Sequence, residues 1–302
     1  MKKAFLFPGQ GAQYVGMGKD FYDSFRVAKE TFQEADDHLG SKLSKLIFEG
    51  PEETLTQTKH SQLAIFVTSM AILRTVAEQL PHLTPDVCAG LSLGEYTAIC
   101  ASGRLDFTSG LTLVRERALL MNLACENIPG TMAAVLGLDA AGVESAIKGI
   151  EGVWIGNYNA PGQIVISGIQ SSVEKASMAL KAKGAKRVLP LTVHGAFHSG
   201  LMQGAQDALA PFIEQITFKP SSIDLVMNVP GDFSQEIHQN LIRQVTQPVR
   251  WEQGISAMKA AGVELFFEIG CGKTLTGLNK KMGIISTSIE KVPDLEAVHA
   301  IS

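Results

Sequence analysis

The sequence predicts an α/β fold in which a large domain with a mostly parallel sheet carries a smaller, inserted α+β domain. Short apolar segments alternate with helical spacing through most of the chain, as expected of βα units. Between about 126 and 193 the order changes to strand, helix, two strands, helix and strand. At 302 residues and 45% hydrophobic content, the chain is large enough for one main core and a second, smaller one.

The N-terminal part is predicted to contain a strand at 4–7, a glycine-rich turn, and helices at 20–39 and 61–80. The turn is not a dinucleotide-binding loop, because Tyr14 stands where the third glycine would be needed. A backbone N–H of such a turn can donate to an oxyanion, which makes Gln10 a candidate, with a surface turn residue as the alternative. Gln62, at the start of the second helix, either lines a site or is a polar helix-start residue.

The most informative motif is Gly90-Leu91-Ser92-Leu93-Gly94, between a short apolar segment and a helix-compatible tail. A serine hydroxyl is a weak nucleophile, so a catalytic serine needs a sharp strand-to-helix turn beside a base and oxyanion donors. The flanking glycines remove side chains that would crowd this turn. The motif therefore predicts the nucleophile elbow of an α/β-hydrolase-like domain, with Ser92 as nucleophile. The alternative is a glycine-rich loop in which Ser92 caps the next helix.

The predicted helix at 106–125 carries two arginines. Arg115 and Arg117 are two residues apart and point in different directions, so at most one is expected to be functional. A solvated arginine is the usual case, whereas a buried one would suit a substrate carboxylate, which the guanidinium binds bidentately. Met121, on the apolar side of this helix, is a further candidate for substrate contact.

The inserted domain is predicted from 126 to 193, which leaves 1–125 and 194–302 for the large domain. Its order β-α-β-β-α-β is typical of a ferredoxin-like domain. The strands are predicted at 132–137, 153–156, 163–168 and 186–191, and the helices at 140–150 and 172–183. The polar connector at 157–162 contains Asn159, which either faces a cleft or belongs to a hairpin turn.

Two histidines follow the inserted domain. His194 and His198 are four residues apart, and either a base for Ser92 or a structural role explains them. No His-Glu-x-x-His pattern and no third ligand accompany them, so a metal site is not predicted.

In the last part of the chain, predicted helices and strands alternate again. Helices are predicted at 200–216, 237–245 and 255–261, and strands at 225–229 and 263–269. The run Gly270-Cys271-Gly272-Lys273-Thr274 then imitates a phosphate-binding loop, but Phe267 stands where its first glycine is required. We therefore expect a strand-to-helix turn with Lys273 near the surface, and no nucleotide site.

The composition excludes several classes of function. A net charge of -4 argues against nucleic acid and against an anionic membrane surface as main partners. The four cysteines lack CxxC spacing, which suggests neither a metal site nor a disulfide framework and indicates a reducing, cytoplasmic location. The N-terminal apolar run is too short for a signal peptide, and no segment reaches the roughly 20 apolar residues of a membrane span.

Together the motifs resemble those of the malonyl-CoA:acyl carrier protein transacylases of fatty acid and polyketide synthesis. The resemblance covers nearly the whole chain. It is carried by Phe7-Pro8-Gly9-Gln10-Gly11, Gly90-Leu91-Ser92-Leu93-Gly94-Glu95, Arg117, Asn159-Ala160-Pro161-Gly162-Gln163, Gly195-Ala196-Phe197-His198-Ser199, Pro248-Val249-Arg250-Trp251 and Gly270-Cys271-Gly272-Lys273.

The resemblance implies a role for each matching residue. Ser92 would be the acyl-accepting nucleophile, His198 the general base and acid, and Arg117 the clamp for the free malonyl carboxylate. The backbone N–H groups of Gln10 and Leu93 would form the oxyanion hole.

Further residues follow from the same resemblance. Gln244, just before the Pro-Val-Arg-Trp run, would orient the imidazole through its carbonyl oxygen. Phe197, immediately before His198, resembles the residue that malonyl-selective members of the family have at this position. The remaining substrate-binding candidates are Gln62, Met121 and Asn159. Leu91 departs from the pattern, since the family usually has histidine immediately before the serine, and this change affects a side chain near the substrate.

The implied reaction is a ping-pong transfer of malonyl from malonyl-CoA, through Ser92, to the phosphopantetheine thiol of a holo acyl carrier protein. No permanently bound cofactor and no metal are implied, and a monomer is expected. One alternative is a thioesterase or serine hydrolase with the same serine and histidine, which Arg117 disfavours because neutral acyl chains would leave it unpaired. Another alternative is a non-catalytic module that binds the carrier protein. Loss of Ser92 or His198 would have supported it, but both residues are present.

Overall fold

The structure is a computed structural model that describes residues 1–300, and its chain divides into two compact units. Unit 1 comprises Met1–Ala118, Thr217–Val226 and the chain from Met258 onward. Unit 2 comprises Leu119–Ile216 and Met227–Ala257, and so contains the segment predicted as the inserted domain. The predicted domain boundaries at 125/126 and 193/194 stay a prediction, since compactness alone does not define which segment folds as a domain.

The described residues form the following elements. The strands are β1 (Lys2–Phe7), β2 (Val87–Gly90), β3 (Thr131–Leu136), β4 (Val153–Ala160), β5 (Gln163–Gly168), β6 (Arg187–Pro190), β7 (Asp224–Met227), β8 (Asp232–Phe233), β9 (Val249–Arg250), β10 (Val263–Ile269) and β11 (Ser286–Ile289). The helices are α1 (Lys19–Ser24), α2 (Arg26–Leu39), α3 (Leu43–Glu49), α4 (Glu52–Leu55), α5 (Thr58–Gln79), α6 (Gly94–Ala101), α7 (Phe107–Asn127), α8 (Ala140–Ile147), α9 (Gln170–Ala182), α10 (Gln203–Glu214), α11 (Ile237–Gln244), α12 (Trp251–Ala260), α13 (Thr274–Lys281) and α14 (Asp294–His299), with a 3-10 turn at Gly200–Met202.

Unit 1 is organised around a parallel sheet. Its strands lie in the order β11-β10-β1-β2-β7, and each neighbouring pair is parallel. Phe7 pairs with Gly90 at the ends of β1 and β2, so the loops that leave these two central strands emerge side by side at the carboxyl edge of the sheet. Ligands of open α/β sheets bind at this edge, which is where the predicted elbow lies.

Unit 2 contains the predicted ferredoxin-like arrangement. The strand order is β6-β3-β5-β4, with β9 added in parallel beside β4, and the other neighbouring pairs are antiparallel. Helices α8 and α9 contribute Val143, Val173 and Leu180 to one apolar core with the inward residues of the strands. The fold class predicted from the order of elements, a mostly parallel α/β sheet together with an α+β unit, is confirmed.

The structure corrects two elements predicted from apolar spacing. The helix predicted at 20–39 is two helices, α1 and α2, because Phe25 has an extended backbone (φ −128°, ψ 129°) and its N–H closes the first helix on Phe21. The polar connector predicted at 157–162 is mostly strand, since β4 continues to Ala160 and leaves only Pro161-Gly162 to turn the hairpin. Among residues 1–300, none of the helices combines the length and apolar character needed to cross a membrane.

Candidate active site

The turn between β2 and α6 has the geometry of a nucleophile elbow. Ser92 has a left-handed backbone (φ 53°), which is unusual for a residue with a side chain. A Cβ on Gly90 would lie 1.9 Å from the Gly94 carbonyl carbon, and a Cβ on Gly94 would lie 2.1 Å from the Phe7 oxygen. Only glycine fits at these two positions, so the spacing of the motif is set by the tightness of the turn.

The loop after β1 packs directly against this elbow. A Cβ on Gly9 would lie 2.3 Å from the Leu91 carbonyl oxygen, and the Leu91 N–H donates to the Phe7 oxygen over 3.1 Å. Within the described residues, the backbone N–H groups of Gln10 and Leu93 donate to no protein acceptor. These two donors, one from each loop, are therefore available for an anionic oxygen.

Leu91 keeps the elbow intact although its side chain departs from the family pattern. Its N–H bonds to Phe7, and its carbonyl accepts from the Gly94 N–H over 2.9 Å, so the turn uses only the backbone at this position. The half-buried side chain lies beside Gly9, with Cδ2 3.3 Å from the place of a Cβ there. The apolar side chain thus borders the loop that carries Gln10.

We expect Gly94→Ala to lower both stability and acylation of Ser92. The new methyl group would meet the backbone of Phe7 and Pro8, which cannot move aside as a side chain would, and overpacking of this kind costs about 1–3 kcal/mol or more. Thermal unfolding and the rate of acyl-enzyme formation measure the two effects. Gly277→Ala in α13 is the matched control, because its methyl group would meet nothing within 4 Å and should stabilise the helix by about 0.5–1 kcal/mol. Equal stability of the two variants would contradict the close packing of the elbow.

A buried arginine lies beside the serine. Arg117 is only 1% exposed; its Nη2 donates to Ser92 Oγ over 3.0 Å and its Nη1 donates to Gln62 Oε1 over 2.7 Å. Burial lowers the pKa of Arg117, while the charge of the buried Glu95 counteracts this shift. The three residues predicted separately on α5, the elbow and α7 are thus brought together. The cluster places a desolvated cation next to a nucleophilic oxygen.

One residue of the cluster, Tyr96, was not predicted from the sequence. The Tyr96 ring lies under Arg117, with 5.3 Å from the guanidinium carbon to the ring centroid, and the tyrosine is completely buried. Burial raises the pKa of Tyr96 to about 12, so its phenol stays neutral. Tyr96 lies in α6, the helix that directly follows the elbow, and no local pattern in the sequence indicates that its ring contacts Arg117.

In unit 2, His198 is held by backbone contacts. Its Nδ1 lies 2.7 Å from the Gln244 backbone oxygen, and since a carbonyl only accepts, Nδ1 carries a hydrogen, which in a neutral ring leaves the lone pair on Nε2. The preceding loop is anchored by Ser199, whose Oγ donates to the Ala196 oxygen over 2.6 Å and accepts from the Leu201 N–H. A Cβ on Gly195 would lie 2.1 Å from Cys125 Sγ, which explains the glycine of the motif. The arrangement fixes the tautomer that a general base requires.

Ser92 and His198 also share an unusual backbone conformation. Among the described residues other than glycine, only Ser92 (φ 53°) and His198 (φ 56°) have positive φ. Such conformations cost of order 1–3 kcal/mol and persist mainly where function requires them. The sequence motifs and the strain therefore identify the same pair independently.

The other predicted residues lie in different surroundings. Phe197 and Met121 are buried in unit 2. Asn159, on β4, has a buried Oδ1 that finds no hydrogen-bond partner among residues 1–300. Arg115 is partly exposed and pairs with Glu116 over 2.9 Å, and His194 is exposed, so neither shares the features of Arg117 or His198.

The segment at 270–274, which resembles a phosphate-binding loop, leads into a helix whose first N–H groups bind a carboxylate of the chain itself. Glu268 is buried, and its two carboxylate oxygens accept the Leu275 and Thr276 N–H groups at the start of α13, over 2.9 and 2.7 Å. A carboxylate therefore occupies the position that a phosphate would take. Lys273 is exposed, as predicted. Within residues 1–300, no cluster of three or more histidine, cysteine, aspartate or glutamate side chains could hold a metal ion.

Comparison with known proteins gives one consistent result. A family model described as the acyl transferase domain matches residues 4–283. The malonyl CoA-acyl carrier protein transacylase of Bacillus subtilis is 46% identical over 288 residues, which are 93% of this chain and 90% of that protein. The transacylase of the same description from Escherichia coli K12 is 42% identical over 288 residues, 92% of each chain. A malonyl-transacylase solved in complex with its type II PKS acyl-carrier protein superposes with a TM-score of 0.95 at 37% identity, over 100% of both chains.

Proposed function

The chain belongs to the acyl transferase domain family, and from this premise we propose that it transfers malonyl from malonyl-CoA to the phosphopantetheine thiol of an acyl carrier protein. One observation carries the choice of acyl group. The guanidinium of Arg117 is buried and lies 3.0 Å from Ser92 Oγ. An acyl group attached to this oxygen gains most from that cation if its far end is a carboxylate.

In the proposed first half-reaction, Ser92 Oγ attacks the thioester carbonyl of malonyl-CoA while His198 Nε2 takes the hydroxyl proton. The carbonyl oxygen becomes an oxyanion, which accepts from the Gln10 and Leu93 N–H groups. The carbon–sulfur bond then breaks, and the leaving thiolate takes the proton from His198. Malonyl remains as an ester on Ser92, and coenzyme A departs as a free thiol.

The second half-reaction reverses these steps with a different thiol. His198 takes the proton from the phosphopantetheine arm of the holo carrier, and the thiolate attacks the ester carbonyl. The bond to Ser92 Oγ breaks and the serine regains its proton from His198. Because Gln244 fixes Nδ1–H, Nε2 accepts the proton in one step and returns it in the next.

Arg117 favours transfer over the alternative of a thioesterase for neutral acyl chains. A neutral chain would leave the desolvated guanidinium without a carboxylate, which costs several kcal/mol more than pairing it. Binding of the malonyl carboxylate also fixes the ester in one geometry until the carrier thiol arrives. Gln62, Phe197, Met121 and Asn159 complete our assignment of substrate contacts.

The proposal extends to the setting of the enzyme. The partners are malonyl-CoA and a holo acyl carrier protein, and the cycle needs no metal and no permanently bound cofactor. All four cysteines are buried thiols, which suits a reducing, cytoplasmic location. We assign a monomer, since each catalytic role is filled from a single chain.

The decisive test is the intact mass of the protein after incubation with malonyl-CoA, acetyl-CoA or methylmalonyl-CoA, with and without holo carrier protein. We expect a malonyl adduct that is stable in buffer and disappears on addition of carrier, while the carrier gains the same mass. An adduct lost at the same rate with or without carrier would instead establish a thioesterase. Absence of an adduct with every donor would leave only carrier binding.

A further inference from the structure

Tyr96 has a place in the site that neither the nucleophile nor the clamp motif assigns. Its ring is completely buried and faces the Arg117 guanidinium, with 5.3 Å between the guanidinium carbon and the ring centroid. Cations are attracted to the negative face of an aromatic ring, and this attraction is strongest where water is excluded from both groups.

We propose that Tyr96 is a positioning residue that holds the Arg117 guanidinium in line with Ser92 and thereby sets the selectivity for acyl groups with a free carboxylate. The inference rests on the proposed malonyl transfer, which it deepens. It explains how the Arg117 guanidinium is held in place, whereas binding of the malonyl carboxylate by Arg117 is part of the proposed function.

The first argument is the shared element. The elbow and the helix α6 that directly follows it form one continuous segment, which carries Ser92 in its turn and Tyr96 in the first turn of the helix, under the guanidinium. The carboxylate of malonyl is separated from its carbonyl carbon by one methylene group. A bidentate contact at that short, fixed span fails if the guanidinium moves by about an ångström relative to the serine. The common element keeps this distance constant.

The second argument is how the ring holds the cation. Arg117 Nη1 is held by Gln62 Oε1 at 2.7 Å, and Nη2 donates to Ser92 Oγ at 3.0 Å. Acylation turns Oγ into an ester oxygen, a weaker acceptor, so Nη2 is released to the malonyl carboxylate. The face of the ring attracts the guanidinium and the neutral phenol adds no full negative charge, so Tyr96 restrains the cation without neutralising it. A second carboxylate in that place would have neutralised the clamp.

The experiment varies the electrostatics of the ring at constant shape. Tyr96→Phe is followed by mono-, di- and trifluorophenylalanine at the same position, and kcat/KM is measured with malonyl-CoA and with acetyl-CoA. We expect Tyr96→Phe to keep the selectivity, and each added fluorine to lower kcat/KM for malonyl-CoA. The series should reach a loss of roughly 10- to 30-fold, the size of a desolvated cation–π contact, with little change for acetyl-CoA.

Phe107 provides the matched control. It is buried in the same unit, with the Arg74 guanidinium carbon 4.5 Å from its ring centroid, and the same fluorinated series there should leave the malonyl-to-acetyl ratio unchanged. If kcat/KM for malonyl-CoA stayed constant across the Tyr96 series, or if it fell equally for malonyl-CoA and acetyl-CoA, the positioning role would be overturned and Tyr96 would only pack in the core. The two proposals fail separately, because the absence of a malonyl adduct on the wild-type protein would refute the function before any variant is measured.

Discussion

Replacing Ser92 by alanine is expected to abolish malonyl loading and to lower carrier malonylation by at least roughly 10⁴-fold. Alanine removes the hydroxyl oxygen that the elbow presents 3.0 Å from Arg117 Nη2, which is the oxygen that we propose accepts the malonyl group. Intact mass after incubation with malonyl-CoA measures loading, and malonylation of the holo carrier measures transfer. Binding of coenzyme A and of carrier should persist, since neither depends on this hydroxyl.

The control for this change lies at the other end of the same helix. Ser102 is a buried serine whose Oγ donates to the Ile99 oxygen over 2.8 Å. Ser102→Ala should cost up to about 1 kcal/mol of stability and load malonyl normally. A malonyl adduct that persists in Ser92→Ala would place the nucleophile elsewhere and refute the assignment of the elbow.

The parts of the structure predicted from sequence are those set by local constraints. The elbow follows from two glycines whose missing Cβ atoms leave room for the Phe7 and Gly94 backbones, and this spacing is visible in the sequence. The βαββαβ order of unit 2 follows from alternating short patterns, each of which is local as well. Arg117 was distinguished from Arg115 only by the resemblance, because the helical spacing indicates that at most one of the two is functional but not which one.

Other features depend on packing between distant segments and leave no local pattern. The break at Phe25 has no glycine or proline to mark it, and the apolar spacing on either side reads as one helix. The continuation of β4 through polar residues is imposed by its neighbours β5 and β9. Gln62 meets Arg117 across 55 positions of sequence, and Tyr96 becomes part of the site only because α7 brings the guanidinium over its ring.

Replacing Arg117 by alanine is expected to change which acyl group is loaded while leaving the nucleophile in place. Loss of a buried, hydrogen-bonded partner of a carboxylate costs about 2–5 kcal/mol, which corresponds to a fall of roughly 30- to 4,000-fold in kcat/KM for malonyl-CoA. Acetyl-CoA loading should rise, because no desolvated guanidinium is left unpaired by a neutral acyl group. Competition of the two donors for Ser92, followed by intact mass, measures the ratio directly.

Arg115→Ala is the matched control for this change, because Arg115 lies on the same helix, is partly exposed and pairs with Glu116 over 2.9 Å. It should keep the wild-type preference for malonyl. Arg117→Lys distinguishes charge from geometry: lysine keeps the cation but lacks the planar fork that binds a carboxylate bidentately, so malonyl preference should be only partly retained. Equal losses for both donors in Arg117→Ala would mean that the arginine supports the elbow instead of reading the substrate. A preference for acetyl in Arg117→Ala would support the proposal that the Arg117 cation both attracts the malonyl carboxylate and rejects a neutral acyl group.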